Sequence, residues 1–250
     1  MPTQMLIYET AAPISFARHG KCHVEVGNTF LFARNLNAVP LMLTEFSQAA
    51  GEYAIVFTGN GNEFAPMAVL GARDRENLYL AEDGTWQARY VPAFLRRYPF
   101  VFSSNPNSQT FTLCIDETFP GLNTQERGQA LFLSNGKPSE YTESIMKFLK
   151  TYGDEARRTL AFTTLLQKHD LLEPMQANFE LATGTKAKLQ GFFTVSRAKL
   201  KALPDSVLAE LAKTDALEFI YIHLQSMRHF DDVKDRLAEA DLKSPIPPQA

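Results

Sequence analysis

Two adjacent arginines, Arg96 and Arg97, lie inside an apolar and aromatic stretch, Tyr90–Phe102, that has a proline near each end. Protein cores seldom accept an unpaired arginine, and surfaces seldom display so many Phe and Tyr side chains together. Two guanidinium groups beside the aromatic rings of Tyr90 and Tyr98 could hold a carboxylate or a phosphate by bidentate hydrogen bonds. The stretch therefore indicates a candidate anion site.

A structural role is the alternative for the same pair. One arginine would pair with Glu45, Asp116 or Glu117 beneath the predicted sheet, while the other would lie exposed. We favour this alternative because buried charges are usually paired within the protein. Neighbouring strand residues point to opposite faces, so a shared site would need the bent backbone that Pro92 and Pro99 allow.

Carboxylates and an aromatic group extend the set of candidate site residues. Asp116 and Glu117 follow a predicted strand and could serve metal binding or acid–base chemistry, although a solvated strand end is favoured. Trp86 could line a ligand groove, although a core position is favoured. The candidate ligand-binding residues are Arg96, Arg97, Tyr90, Tyr98, Trp86, Glu45, Asp116 and Glu117.

No complete catalytic or metal-binding motif occurs in the sequence. His19, Cys22 and His23 supply three ligands within five residues, but a tetrahedral site needs a fourth and no second cluster follows. The serine nucleophile elbow, the zinc-binding helix motif and the glycine-rich phosphate loops are missing. We assign no catalytic residue, and we predict neither a metal nor a cofactor.

The composition limits the class of protein. The chain has 250 residues, is 45% hydrophobic, and carries a formal net charge of −3, so a nucleic-acid partner is not expected. No window approaches the roughly 18 consecutive apolar residues of a membrane span, and the N-terminus lacks a secretory signal pattern. Two distant cysteines, Cys22 and Cys114, exclude a disulfide framework and indicate a cytoplasmic protein.

The patterning predicts an α+β fold. Its main part is an antiparallel sheet of about six short strands in the first 135 residues, because short loops favour antiparallel pairing. Within it, Tyr53–Phe57 and Phe64–Gly71 read as strands, and Asn77–Leu80 and Trp86–Val91 read as a hairpin around Asp83-Gly84.

The second part of the chain predicts several helices and a short second hairpin. Ser139 opens a helix that Gly153 ends, and a further helix runs to about His169. A hairpin follows near Phe179–Val195, and then more helices. The helix Ala216–Met227 is apolar nearly all round, which suits a core or a homodimer interface, and His223 on it reads as a core residue.

Several stretches resemble the SapC-like family of bacterial proteins, in order and over roughly Leu36 to Leu237. The resemblance is carried by Val39-Pro40-Leu41, Glu45-Phe46, Tyr53–Phe57, Asn77-Leu78-Tyr79, Trp86, Tyr90–Ala93, Arg96–Phe100 and Leu217–Tyr221.

The resemblance implies a link to surface-layer or export systems, and it brings no catalytic residue to map onto this chain. We expect one SapC-like domain over residues 1–240, in which the sequence pattern leaves a poorly patterned segment 1–35 outside the resemblance and is followed by a disordered tail 241–250. We expect a non-enzymatic cytoplasmic accessory protein that binds a protein or peptide partner for surface-layer protein export or modification. The alternative is an enzyme or small-molecule binder that holds a carboxylate or phosphate at Arg96 and Arg97.

Overall fold

A computed structural model describes residues 7–61, 63–104, 111–182 and 184–243. Within these ranges, helices combine with sheets in which every strand pairing is antiparallel, which confirms the predicted α+β class. Residues 1–6 of the N-terminal segment and 244–250 of the predicted tail lie outside the described residues.

The strands are β1 Ala11–Pro13, β2 His23–Val24, β3 Ala38–Pro40, β4 Ile55–Gly59, β5 Phe64–Val69, β6 Phe100–Ser104, β7 Phe111–Asp116, β8 Leu122–Asn123, β9 Gln129–Ala130, β10 Leu172–Glu180 and β11 Lys186–Val195. The helices are α1 Phe16–His19, α2 Phe46–Ala49, α3 Ala93–Arg96, α4 Glu140–Lys168, α5 Arg197–Lys201, α6 Asp205–Lys213, α7 Ala216–Ser226 and α8 Phe230–Lys243.

The contacts within the chain divide it into two compact units. The first comprises Met1–Thr29 and Phe94–Asp154, and the second comprises Phe30–Ala93 and Glu155–Ala250. The single domain that we predict for residues 1–240 stays a prediction. Among the described residues, the predicted sheet of the first 135 residues is distributed over three sheets, two in the first unit and one in the second.

The first unit contains two three-stranded sheets, with the orders β1-β7-β6 and β8-β2-β9. Ile115 lies at the centre of the first sheet, opposite Ala12 on one side and Phe100 on the other. In the second sheet Gly128 has φ +82°, and a Cβ there would come within 2.2 Å of the Val24 carbonyl oxygen. Only glycine permits this close approach of β2 to the chain before β9.

The second unit is built on a five-stranded sheet with the order β10-β11-β4-β5-β3. The predicted strands Tyr53–Phe57 and Phe64–Gly71 appear as β4 and β5, joined as an antiparallel pair. One hydrophobic cluster joins β4 and β5 to β10, β11 and α8. Its buried side chains include Val56 of β4, Val69 of β5, Phe179 of β10, Phe192 of β11, and Val233 and Leu237 of α8. The central strand β4 is buried on both faces, which explains its continuous apolar run.

The hairpin predicted from Asn77–Leu80 and Trp86–Val91 was only partly right. A single bridge joins Leu80 to Trp86, and no ladder extends from it. Backbone hydrogen bonds flank that bridge, from the Ala81 N–H to the Thr85 carbonyl at 3.0 Å and from the Gln87 N–H to the Tyr79 carbonyl at 2.8 Å. The Asn77 carboxamide also binds the backbone here: it accepts the N–H of Tyr79 at 3.0 Å and donates to the carbonyl of Ala33 at 2.9 Å. These side-chain bonds compete with further strand pairing, so the hairpin is limited to a single bridge.

Helix α4 differs from the prediction because it runs through Gly153 without a break. Its start is as predicted, since the Ser139 hydroxyl accepts the N–H of Thr142 at 3.2 Å. A single internal glycine costs about 1 kcal/mol relative to alanine. The long helical segments on either side outweigh that cost, so helix α4 stays continuous.

The remaining helices follow the predicted order after the β10–β11 hairpin. Helix α8 extends to Lys243, three residues into the segment predicted as a tail, and Asp241 forms an ion pair with Arg73 at 2.8 Å. Among the described residues, no helix is long and apolar enough to cross a membrane.

Candidate functional site

The buried carboxylate of Glu45 organises part of the second unit. Glu45 ends the short 3₁₀ turn Leu43–Glu45 and is 5% exposed. One oxygen accepts the backbone N–H of Met42 at 2.8 Å, and the other accepts the Tyr90 hydroxyl and the Ala93 N–H, both at 2.7 Å. These donors offset the cost of burying the charge. Glu45 thereby fixes the ring of Tyr90 and the first residue of α3.

Trp86 lies in an aromatic cluster of the same unit. Its indole N–H donates to the Tyr53 hydroxyl at 2.9 Å, and that hydroxyl donates to the carbonyl oxygen of Tyr90. The rings of Trp86 and Tyr79 stack with their centres 6.3 Å apart. Trp86 is therefore a buried residue that anchors the loop before Tyr90.

Glu52 holds the next part of that loop. Its carboxylate accepts the backbone N–H groups of Arg89 at 2.7 Å and Tyr90 at 2.9 Å, while its carbonyl accepts the Tyr79 hydroxyl at 2.9 Å. Burial raises the pKa of Tyr79 to about 12, although the positive charge of Arg236 lowers it in part. The chain at Arg89 and Tyr90 is therefore pinned by a carboxylate 37 and 38 residues earlier.

Arg97 is buried in the first unit, with 3% exposure. Its guanidinium carbon lies 4.4 Å from the ring centre of Phe94, 5.1 Å from that of Tyr152 and 5.7 Å from that of Tyr8. Aromatic faces attract a cation at such distances. The Tyr8 hydroxyl donates to the carbonyl of Phe100 at 2.6 Å, and its pKa is raised by burial and partly lowered by Arg97.

Arg96 lies in a different environment from its neighbour. It is exposed, and its guanidinium carbon lies 5.7 Å from the ring centre of Phe148. The two arginines thus differ in exposure and contact different aromatic rings. Helix α3 ends at Arg96, so Arg97 lies outside the helix.

Asp116 is a fully buried carboxylate at the end of β7. It accepts the backbone N–H groups of Glu9 at 2.9 Å and Thr10 at 3.0 Å, and the hydroxyl of Thr118 at 2.8 Å. Burial raises its pKa, but these hydrogen bonds outweigh that effect and the pKa lies below its usual value. Burial and the nearby Asp116 charge raise the pKa of Tyr98 to about 12.

Glu117 binds the chain before β2. Arg18 forms an ion pair with one of its oxygens, and Nε2 of His19 lies 3.1 Å from the other. Nδ1 of His19 accepts the N–H of Ser15 at 3.3 Å, so the ring proton lies on Nε2 and points to Glu117. Burial, together with the Glu117 charge, raises the pKa of the Cys22 thiol, which disfavours a reactive thiolate.

His223 is a satisfied core residue, as the sequence indicates. Its Nδ1–H donates to the carbonyl of Ile55 at 2.8 Å, and its Nε2 accepts the N–H of Val195 at 3.1 Å. The ring thereby joins β4 to β11. Burial lowers its pKa to about 4. In the described ranges, no three His, Cys, Asp or Glu side chains are grouped so that they could hold a metal ion.

The eight predicted site residues fall into two groups, one in each unit. Glu45, Trp86 and Tyr90 are linked in the second unit through Tyr53. Arg96, Arg97, Tyr98, Asp116 and Glu117 belong to the first unit. Glu52 and Tyr53 also belong to the linked group of the second unit and were not among the predicted site residues. The position of Glu52, a charge directly before a buried apolar strand, was a usable signal in the sequence.

Within the described residues, at least two clefts lie in the second unit. The first, which we name the Tyr90 cleft, has a volume of about 370 Å³ and is lined by Gln48, Gly51, Glu52, Arg89 and Tyr90. The other has a volume of about 510 Å³ and lies between residues 77–87 and α8.

Comparison with known families gives one match. The sequence profile of the SapC family matches residues 14–233. The chain belongs to the SapC family. This confirms the resemblance, and the match reaches back to residue 14, into the segment 1–35 that the resemblance left out. No curated protein and no solved structure matches the chain.

Proposed function

We propose that this SapC-family protein is a non-enzymatic accessory protein that binds a protein or peptide partner. The observation that carries the proposal is that its candidate acid and base groups serve its own fold. Glu45 and Asp116 accept hydrogen bonds from several backbone N–H groups, and both nitrogens of His223 bond to backbone groups. Groups held in this way stabilise the structure, and moving a proton at any of them would break a structural bond.

The partner would be linked to surface-layer protein export or modification, and the site of action would be the cytoplasm. Membership of the SapC family supports the first part. The composition supports the second, because the chain has two widely separated cysteines. We also propose that α7 forms the interface of a homodimer. The side chain of Tyr221 on this helix is 46% exposed, which supports this role.

The test is affinity capture after chemical crosslinking in the native cell, with the tagged wild-type protein and an untagged strain as the control. We expect one defined protein to be enriched in every replicate. Repeated capture without any enriched protein would contradict the proposal.

The competing function is binding or conversion of an anionic ligand at Arg96 and Arg97. The exposure of Arg96 and the burial of Arg97 among aromatic rings argue against one shared clamp. Thermal-shift measurements with phosphate and with small carboxylates separate the two functions. Stabilisation that disappears in Arg96→Gln would favour the anion site, and no such stabilisation is expected for an accessory protein.

A further inference from the structure

A second buried histidine of the second unit, His229, has two hydrogen-bond acceptors around its ring. It ends the 3₁₀ turn directly before α8 and is 6% exposed. Its Nδ1 faces a carboxylate oxygen of Asp232, and its Nε2 lies 2.8 Å from the backbone carbonyl oxygen of Ala50. Neither a carboxylate nor a carbonyl has a hydrogen to donate near neutral pH. Each ring nitrogen therefore needs a hydrogen of its own.

A neutral ring at His229 does not satisfy this arrangement, because a neutral imidazole has one N–H and one lone pair. With the hydrogen on Nδ1, the lone pair of Nε2 would point at the Ala50 carbonyl; with the hydrogen on Nε2, the lone pair of Nδ1 would point at the Asp232 carboxylate. The Nε of Arg228 lies 3.5 Å from Nε2, which is too far to compete with the carbonyl at 2.8 Å. The doubly protonated, positively charged ring donates to both acceptors.

His223 provides the contrast within the same unit. Its Nδ1 also faces a carbonyl oxygen, that of Ile55, but its Nε2 faces the N–H of Val195. One nitrogen must donate and the other must accept, which requires the neutral ring. The two buried histidines thus differ in charge because their hydrogen-bond partners differ.

The closest charges to His229 lie on its own turn and on α8. Asp232 contributes a negative charge in direct contact with the ring, and Arg228 contributes a positive charge at 3.5 Å. Ala50 is the C-cap of α2, and a helix C-terminus favours a cation. The N-terminus of α8 has the opposite effect, and Asp232 in its first turn offsets it.

Two further charged groups lie in the same region. Burial is the main cause of the raised pKa of Tyr79, and the charges of Arg236, Asp232 and Glu52 also affect it. The Glu52 carboxylate is bonded to two backbone N–H groups, and the Arg236 guanidinium is bonded to two backbone carbonyls. Their charges have opposite signs, so their effects on His229 oppose each other. Asp232 is therefore the charge that favours the protonated ring.

We infer that His229 is a charged clamp between the end of α2 and the start of α8, and that the clamp loosens when the ring loses a proton. The charged ring binds the Ala50 carbonyl through Nε2 and the Asp232 carboxylate through Nδ1. Loss of one proton turns a lone pair toward one of these acceptors, so attraction becomes repulsion. The stability that the clamp provides is therefore present in mild acid and is lost as the pH rises. This sign is opposite to that of His223, whose contribution is lost as the pH falls.

The first test measures the hydrogens on the ring nitrogens directly, by nitrogen NMR of the full chain at pH 7. The ring signals that disappear in His229→Gln belong to His229. We expect hydrogen on both nitrogens of His229 and on only one nitrogen of His223. A nitrogen of His229 without hydrogen at pH 7 would overturn the inference.

A pair of neighbouring carboxylates provides the matched variants for the same measurement. Asp232→Asn keeps an acceptor oxygen but removes the charge beside the ring, so we expect a large loss of the doubly protonated form. Asp231→Asn removes the adjacent exposed carboxylate and is expected to leave both ring hydrogens in place. An equal loss in both variants, or no loss in Asp232→Asn, would contradict the clamp.

The second test compares the free energy of unfolding of the wild type and His229→Gln between pH 7 and pH 9. His223 is almost fully neutral over this range in the folded and the unfolded chain, so it contributes little to the comparison. We expect the advantage of the wild type to shrink as the pH rises, and Asp231→Asn to follow the wild type. An advantage that is constant or grows with pH would overturn the inference. If His229→Gln does not fold, Asp232→Asn replaces it in the comparison with the same expected result.

Discussion

The carboxylate of Glu45 accepts the hydroxyl hydrogen of Tyr90 at 2.7 Å, across 45 positions of sequence. The same oxygen accepts the N–H of Ala93, so one buried charge holds both the aromatic side chain and the start of α3. A carboxylate with these partners acts as a structural anchor. Its removal should therefore affect stability before it affects any ligand.

Glu45→Gln should lower the free energy of unfolding by about 2 kcal/mol, because hydrogen bonds to a charged group contribute about 1.5–3 kcal/mol. The glutamine amide would turn a donor toward at least one of the N–H groups that Glu45 now accepts. Guanidinium unfolding followed by tryptophan fluorescence measures the change. Glu82→Gln alters an exposed carboxylate and should stay within about 0.5 kcal/mol of the wild type. Equal stability of the two variants would show that Glu45 is not an anchor.

His223 should make the protein less stable in mild acid. Burial lowers its pKa from 6.5 to about 4, so the unfolded chain binds a proton in this range that the folded protein does not. The stability from the neutral ring is fully present above pH 6.5 and is lost as the pH falls toward 4, by up to about 3 kcal/mol. Unfolding at several pH values checks this with His223→Gln, whose pH dependence should be flatter. Parallel pH profiles for the two proteins would contradict the assignment.

Asp116 should hold the segment before β1 against β7. Asp116→Asn cannot accept the N–H groups of both Glu9 and Thr10 without bringing its own amide against a donor. We expect a loss of about 1–3 kcal/mol and faster hydrogen exchange at the amides of Glu9 and Thr10. Asp74→Asn, at an exposed position, is the control. Unchanged exchange at both amides would exclude the anchoring role.

Gly153 gives a direct check of the continuity of α4. A Cβ at Gly153 would meet no atom within 4 Å, so Gly153→Ala should stabilise the protein by up to about 1 kcal/mol. Gly184→Ala is the matched change at a residue with φ +84° and should destabilise by about 1 kcal/mol. Thermal unfolding compares the two. Destabilisation by Gly153→Ala would indicate that the helix ends at this glycine, as the sequence predicts.

Much of the fold follows from patterns within short windows. The apolar run Tyr53–Phe57 and the turn chemistry after it predict β4 and its partner β5, because both depend on neighbouring residues. The prediction that a helix ends at Gly153 was wrong. The tendency of a single glycine to end a helix was outweighed by the long helical segments on either side of it. The hairpin predicted around Asp83-Gly84 is limited to one bridge, because side chains such as Asn77 bind the backbone where a longer strand would pair.

The candidate site was less accessible to sequence analysis. Glu45 stands out as a charge among apolar neighbours, but its partner Tyr90 lies 45 residues away. The different environments of Arg96 and Arg97 depend on the end of α3, which Pro92 and Pro99 only suggest. The position of Glu52 directly before an apolar strand marks it as unusual, but its bonding partners Arg89 and Tyr90 lie 37 and 38 residues away. Long-range contacts of single side chains therefore decide the site.

We propose that this SapC-family protein acts by binding a protein partner, and titration of two purified proteins checks this proposal. A protein captured by crosslinking in the native cell is purified and titrated into the purified full chain by isothermal calorimetry. We predict saturable binding at a fixed stoichiometry. The absence of heat and of any complex between the two purified proteins would contradict the claim.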